Sequence, residues 1–239
     1  MRLYYSRALL AVSLLSVFAV RPSDFWITKD WNQWSKGDCD NLLLESPWSH
    51  VWRYQAQPSG AGVPHTTTDQ LNFSVQLRSA LPVREAMVRQ LQLDQKYDKM
   101  NDASRNMFDA KAAPILSRSY DDIILVHVDF SRSDGNKFLE SAVRREIAAG
   151  DLAPAIVTED GNSVAPIRVD MSEKALYTLD LIFPRTKDGA PLIKEGQKQF
   201  SIQFQSPPVD YFEGIRISSR RVRVDFDLSR MILNGKLSY

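Results

Sequence analysis

The clearest pattern along the chain is the alternation of apolar and polar residues in RRVRVDFDLS, residues 220–229. Val222, Val224 and Phe226 alternate there with arginine and aspartate, which predicts a strand with one buried and one solvated face. LNFSVQLRS at 71–79 has the same period of two. Because further strands follow at short spacings after residue 120, we predict a mainly β (α+β) fold, built as an antiparallel β-sandwich-like domain.

Eight or nine strands are expected in all, and several are joined by recognisable turns. Asp160-Gly161 and Asn234-Gly235 are dipeptides that favour tight hairpins. Apart from the two stretches already described, the strands are predicted over residues 49–57, 121–130, 174–184 and 198–205 and in a hairpin over 155–170.

An N-terminal helix is predicted to begin after Ser35. The serine can cap the helix, and an acidic residue three positions later can complete a capping box. Cys39, Leu42 and Leu43 then recur at the i, i+3, i+4 spacing of one helical face, and Pro47 ends the helix. The single cysteine excludes an internal disulfide and is interpreted as a buried residue rather than a nucleophile, with an intermolecular disulfide as the alternative.

The apolar period changes to that of a helix between residues 81 and 114. Pro82 suits a first helical turn, and the stretch is interpreted as one long helix or as two helices joined near Asn101. Another helix is predicted over 136–150, where an asparagine can cap the start and a glycine follows the last apolar residue.

The first 19 residues differ from the rest of the chain. A short basic start with Arg2 and Arg7 precedes an apolar run, ALLAVSLLSVFAV, which is the pattern of a secretory signal peptide. The run is shorter than the about 20 residues that cross a bilayer. We therefore predict export to the periplasm or the extracellular space, with residues 1–19 cleaved as a signal peptide or retained as an N-terminal anchor. No other integral membrane domain is expected.

The remainder of the chain is divided at residue 57. Residues 20–57 form a tryptophan-rich N-terminal segment, and residues 58–239 are predicted to form a single β-sandwich-like domain with a helical insertion at about 81–114. Removing residues 1–19 leaves 28 basic residues, since two of the 30 are lost, against 29 acidic ones. This balance of charge argues against nucleic-acid binding, which depends on neutralising phosphates.

Catalytic chemistry has few candidates in this sequence. It has three histidines, and it lacks the G-x-S-x-G, H-E-x-x-H, P-loop and G-x-G-x-x-G patterns. His127 and Asp129 lie two residues apart on a predicted strand and so share one face. They are weak metal-ligand candidates, because two side chains are too few to define a site, and a hydrogen-bonded pair is preferred. No cofactor and no catalytic residue is assigned.

The five tryptophans, all between residues 26 and 52, admit two interpretations. Their rings can pack the N-terminal segment onto the sandwich, which is preferred, or they can contact a glycan or a protein partner of the cell envelope. The candidate binding residues under the second interpretation are Trp26, Trp31, Trp34, Trp48 and Trp52.

Three short motifs resemble those of a group of uncharacterised bacterial secreted proteins. The group carries W-x-x-W-[ST], S-P-W and S-A-x-P-[IV]-R-x-A, which read here WNQWS, SPW and SALPVREA. The resemblance covers most of the chain after residue 19 in scattered motifs. It implies export and a shared fold, and it brings no activity and no site residues.

The sequence favours an exported, non-enzymatic binding or structural module of the cell envelope. One alternative is a hydrolase that uses two converging carboxylates, since acidic residues are plentiful and histidines scarce. Another alternative is a carbohydrate-binding sandwich that uses tryptophan rings.

Overall fold

The structure is a computed structural model of the 239-residue chain. It describes residues 24–56, 69–132, 152–171, 178–194, 196–206, 209–210, 216–217, 219–233 and 235–239. The predicted signal peptide and the helix predicted over 136–150 lie outside the described residues.

Four α-helices occur in the described part of the chain, with two of them between the second and third strands. They are α1 (Phe25–Thr28), α2 (Lys36–Leu44), α3 (Leu81–Asp94) and α4 (Asp102–Ser117). The predicted start of α2 is confirmed, because the backbone N–H of Asp38 donates to Oγ of Ser35 and the N–H of Ser35 donates back to the Asp38 carboxylate. Cys39 on this helix is buried, as its place on the apolar stripe predicts.

The strands form two antiparallel sheets of five and four strands, with three further two-stranded ribbons in the described residues. The first sheet has the order β1-β2-β3-β7-β6, and the second has the order β13-β10-β4-β5. In chain order the strands are β1 (Ser49–Ala56), β2 (Asp69–Leu77), β3 (Ile123–Arg132), β4 (Ala155–Thr158), β5 (Ser163–Val164), β6 (Arg168–Met171), β7 (Thr178–Pro184), β8 (Thr186–Lys187), β9 (Ala190–Pro191), β10 (Gln199–Gln205), β11 (Val209–Asp210), β12 (Arg216–Ile217), β13 (Arg221–Asp227), β14 (Ile232–Leu233) and β15 (Lys236–Leu237).

One apolar core lies between the two main sheets and makes the fold sandwich-like. Phe73 of β2 and Phe130 of β3 meet edge to face at 5.0 Å, and both contact Phe204 of β10 in the other sheet. The predicted alternation in β13 is confirmed, since Val222 is buried and its neighbours Arg221 and Arg223 are exposed. The mainly β prediction with inserted helices is therefore confirmed.

The helical insertion consists of two helices rather than one. Asn101 ends the connection and caps α4 by accepting a hydrogen bond from the N–H of Ser104, so the alternative with two helices joined near Asn101 is confirmed. The predicted end at Pro114 is wrong by three residues, because α4 continues to Ser117. Contacts from α3, described below, stabilise this last turn.

The N-terminal segment shares its core with the sandwich. Trp34 and Trp48 belong to the same buried cluster as the strands of both sheets, and β1 is the edge strand of the first sheet. A search of the described helices finds none with the length and apolar character needed to cross a bilayer.

Candidate functional site

The first sheet has a polar face opposite the sandwich core. In the strand register, His127 of β3 lies beside Gln76 of β2 on one side and beside Asp180 of β7 on the other. Because side chains alternate along each strand, Asp129 and Arg78 extend the same face in opposite directions. Antiparallel pairing thus gathers residues that lie up to about a hundred positions apart in the sequence.

His127 is buried on this face and contacts a carboxylate through each ring nitrogen. Its Nδ1 lies 2.7 Å from Oδ1 of Asp180, and its Nε2 lies 3.3 Å from Oδ1 of Asp129. The Nδ1 contact is a hydrogen bond, in which an ionised Asp180 carboxylate can only accept. The pair named from the sequence, His127 and Asp129, is therefore part of a group of three that Asp180 completes.

Asp180 is held in its ionised form. Burial favours the neutral acid, but the hydrogen bond from His127 and the charges of His127, Arg78 and Arg118 outweigh it and hold the pKa of Asp180 below its usual value.

Asp180 and Asp129 contact different nitrogens of the His127 ring. The ring therefore lies between the two carboxylates, which do not converge on one position where a metal ion could bind. In the described part of the chain, no group of three histidine, cysteine or acidic side chains is arranged to hold a metal ion. His127 forms its hydrogen bond with Asp180, and its contact with Asp129 is at ion-pair distance.

A cleft of about 330 Å³ opens beside Asp180, between the first sheet, α3 and the end of α4. We call it the arginine cleft, because three of its nine lining residues are arginines. The residues that line it are Arg78, Arg84, Met87, Pro114, Ile115, Arg118, Tyr120, Leu125 and Asp180.

Arg84 joins α3 to the end of α4 on one wall of the arginine cleft. Its Nη1 donates to the carbonyl oxygens of Ile115, Leu116 and Arg118, at 2.9, 2.8 and 3.0 Å. These are carbonyls that a helix end leaves without an intrahelical donor, so the guanidinium acts as a cap supplied by another helix. The Nε of Arg84 is buried and has no hydrogen-bond partner among the described residues.

The ring of Tyr120 contacts two of the arginines that line the cleft. The guanidinium carbons of Arg84 and Arg118 both lie 5.0 Å from the centre of its ring, within the range of a cation–π contact. Arg118 is exposed, whereas Arg84 is only 8% exposed, so one charge reaches solvent and the other is enclosed.

Arg78 is half-buried where β2 ends, on the side of Asp180. Burial lowers its pKa, and the charges of Asp180, Asp129 and Tyr120 act against that change. No carboxylate of the described residues forms an ion pair with its guanidinium, and its Nε is buried without an acceptor there. Arg78 therefore adds to the cleft lining a charged guanidinium that forms no ion pair with a carboxylate of the described residues.

The tryptophans are mostly enclosed. Trp34 is 1% exposed and Trp48 is 0% exposed, while the other three, Trp26, Trp31 and Trp52, are half-buried and pack against core clusters. Each fully buried indole donates to a carbonyl: Trp34 to Lys29 at 3.1 Å, and Trp48 to Ser238 at 2.5 Å. These contacts favour the packing interpretation for Trp34 and Trp48.

Trp52 has one feature that is typical of a ligand-binding surface, a neighbouring aromatic ring. Its ring and that of Tyr54 lie on the same face of the edge strand β1, 6.1 Å apart and within 12° of parallel. The guanidinium of Arg220 lies 5.5 Å from the centre of the Tyr54 ring. Trp31, by contrast, packs against the small cluster of α3 and α4 formed by Val88, Phe108 and Ala112.

A second cleft, of about 310 Å³, lies between α3 and α4 and differs in character. Lys111 is the one charged residue among the described residues of its lining, which is otherwise mainly apolar with Met107, Phe108 and Leu91. Its polar lining residues, Gln95, Ser104 and Lys111, carry a single charge, whereas four charged side chains line the arginine cleft, which is therefore the stronger candidate site.

Sequence reasoning did not find the arginine cleft. Its four charged residues, Arg78, Arg84, Arg118 and Asp180, are scattered over about a hundred positions, and no short motif links them. No protein-family model, curated protein or solved structure matches this chain.

Proposed function

We propose that the chain is an exported, non-enzymatic binding module of the cell envelope, and that the arginine cleft binds a small anionic ligand. The observation that carries the proposal is the presence of three guanidinium groups in one cleft, of which that of Arg78 forms no ion pair with a carboxylate of the described residues. A half-buried charge without an ion-pair partner is costly, and an anion is the ligand that matches the charge of the guanidinium.

The charges of the lining favour an anion. Three arginines against the single carboxylate of Asp180 give the lining a net charge of +2 (3 − 1). Arginine stays protonated at any physiological pH, so the positive charge does not depend on the surroundings. The planar guanidinium also matches the two oxygens of a carboxylate or a phosphate.

The same lining argues for binding rather than catalysis. Serine, cysteine, histidine and lysine are absent from the described residues that line the cleft, and Asp180 accepts from His127. A hydrolase of the two-carboxylate type needs one carboxyl group with a raised pKa as its acid, whereas the pKa of Asp180 is lowered.

The test is calorimetric titration of the full chain with sodium acetate and with inorganic phosphate at constant ionic strength. We expect saturable binding of at least one anion, weakened about 10-fold or more by Arg118→Ala, since a hydrogen bond to a charged group is worth about 1.5–3 kcal/mol. Arg223→Ala is the matched control, because Arg223 is an exposed arginine of the second sheet.

If neither anion binds, or if both variants bind as the wild type does, the proposed function is wrong. Export is tested separately, by fractionating bacterial cells that produce the full chain. Accumulation in the cytoplasm at full length would contradict that part of the proposal, which the signal-peptide pattern and the resemblance to bacterial secreted proteins support.

A second candidate function is glycan binding by the Trp52–Tyr54 pair. The two rings stack on each other on an edge strand and are only half-buried, so part of their aromatic surface remains for a sugar ring to contact. A soluble glycan that shifts the tryptophan fluorescence of the wild type but not of Trp52→Leu would support this candidate. Equal shifts in both proteins would contradict it.

A further inference from the structure

We propose that the ligand of the arginine cleft is a small carboxylate with a compact apolar body, of the size of a six-carbon acid. This inference rests on the proposed function and adds the chemical class of the ligand. It follows from a lining that combines three arginines with four apolar residues.

The apolar part of the lining comes from three elements. Met87 lies on α3, Pro114 and Ile115 lie on α4, and Leu125 lies on β3. Four of the nine lining residues are therefore apolar and carry no group that could pair with a second charge. Apolar atoms of a ligand that contact this wall leave water, which favours binding roughly in proportion to their area.

The charged part of the lining suits one carboxylate group. The guanidinium carbons of Arg84 and Arg118 both lie 5.0 Å from the centre of the Tyr120 ring, which brings the two charges to one side chain of the lining. Arg78 adds a third guanidinium from the sheet side of the same cleft. A planar carboxylate can accept from such forks with both oxygens, and the apolar lining residues can contact the body of the ligand.

The volume limits the size of the ligand. About 330 Å³ lies near the lower end of the range of roughly 300–1,000 Å³ that small-molecule sites occupy. A six-carbon acid fits within it, whereas the open cleft would enclose only part of a long-chain lipid or a polyanion.

Four probes of related structure test the inference by calorimetric titration of the full chain: acetate, hexanoate, adipate and 1-hexanol. Each methylene group that leaves water raises affinity about 4-fold, so hexanoate should bind at least about 15-fold more tightly than acetate if two of its four extra methylenes are buried. Adipate should bind more weakly than hexanoate, because its second carboxylate would meet the apolar wall. 1-Hexanol should bind most weakly of the six-carbon probes, because it lacks the charge.

Met87→Gln adds a variant that keeps the length of the side chain and its helix propensity. It should lower hexanoate affinity about 4-fold or more and leave acetate affinity unchanged, whereas Arg118→Ala should weaken both. Met107→Gln is the matched control, since Met107 is 61% exposed on α4 and does not line the arginine cleft.

The outcomes separate this inference from the proposed function. Equal affinities for acetate and hexanoate would overturn the inference and leave anion binding intact, as would adipate binding as tightly as hexanoate. Binding of 1-hexanol as tight as that of hexanoate would overturn the inference as well, because the arginines would then contribute nothing. If none of the anions binds, the proposed function itself fails.

Discussion

Replacing Trp48 with alanine should strongly destabilise the protein, because this indole is enclosed on every side. Its ring is 0% exposed and meets the ring of Trp26 edge to face at 5.6 Å, and its Nε1 donates to the carbonyl of Ser238. The substitution therefore removes a large apolar group and a hydrogen-bond donor at once, and it leaves a cavity between the N-terminal segment and the C-terminal residues.

The magnitude follows from the buried area. A buried tryptophan hides on the order of 200 Å², which at about 25 cal/mol per Å² corresponds to about 5 kcal/mol as an upper value. Tryptophan-to-alanine changes in protein cores cost about 3–5 kcal/mol, and the lost hydrogen bond accounts for about 1 kcal/mol. We expect the free energy of unfolding to fall by about 4 kcal/mol for Trp48→Ala, and by roughly half as much for Trp48→Phe.

Urea denaturation followed by circular dichroism measures this change. With a slope of about 2–3 kcal/mol per molar urea, the midpoint of Trp48→Ala should drop by roughly 1.5 M. Ile27→Ala is the matched control, because Ile27 is 53% exposed and should shift the midpoint only slightly. If Trp48→Ala is no less stable than Ile27→Ala, Trp48 does not belong to the core and the packing interpretation is refuted.

Three further predictions concern single positions. Burial raises the pKa of Cys39 to about 11, so its thiol should resist a disulfide reagent at pH 8 in the native protein and react once urea unfolds it. Burial, partly opposed by Arg84, raises the pKa of Glu85 to about 7, so the stabilising effect of its protonated form should be lost as pH rises through 7. Glu85→Gln should then be more stable than the wild type at pH 8, by on the order of 1 kcal/mol in urea titrations, but not at pH 4.5. Gly161 has a φ of 83°, so Gly161→Ala should lower the melting temperature by an amount that corresponds to about 1 kcal/mol, whereas Gly37→Ala, within α2 and without a left-handed φ, should raise it.

Local patterns in the sequence sufficed for most secondary elements. The alternation around Val222 and Val224 fixes which face of β13 is buried, and Ser35 supplies a start signal for α2 that depends only on the next three residues. Pro114 shows where such local rules fail, since α4 passes through it. The last turn of that helix receives hydrogen bonds from Arg84, about thirty residues earlier in the chain, and no local rule contains that contact.

The candidate site could not be predicted from the sequence either, because its residues also meet only through contacts between distant parts of the chain. An arginine such as Arg78 or Arg118 reads in the sequence as part of a solvated surface, and only the packing of α3 and α4 on the first sheet brings the two into one cleft. Asp180 joins His127 through the register of β3 with β7, which the hydrophobic pattern does not specify. The pair His127 and Asp129 was found because its spacing of two lies within one strand.

The hydrogen bond from Trp48 to Ser238 has a consequence for how the chain reaches this fold as it is synthesised. The two residues are separated by 190 positions, and a ribosome adds about 5–20 residues per second. Roughly 10 to 40 s therefore pass between the synthesis of the indole and that of its acceptor. Throughout this interval the contacts that complete the N-terminal tryptophan segment cannot form, so a nascent chain remains without its full core until Ser238 has been added.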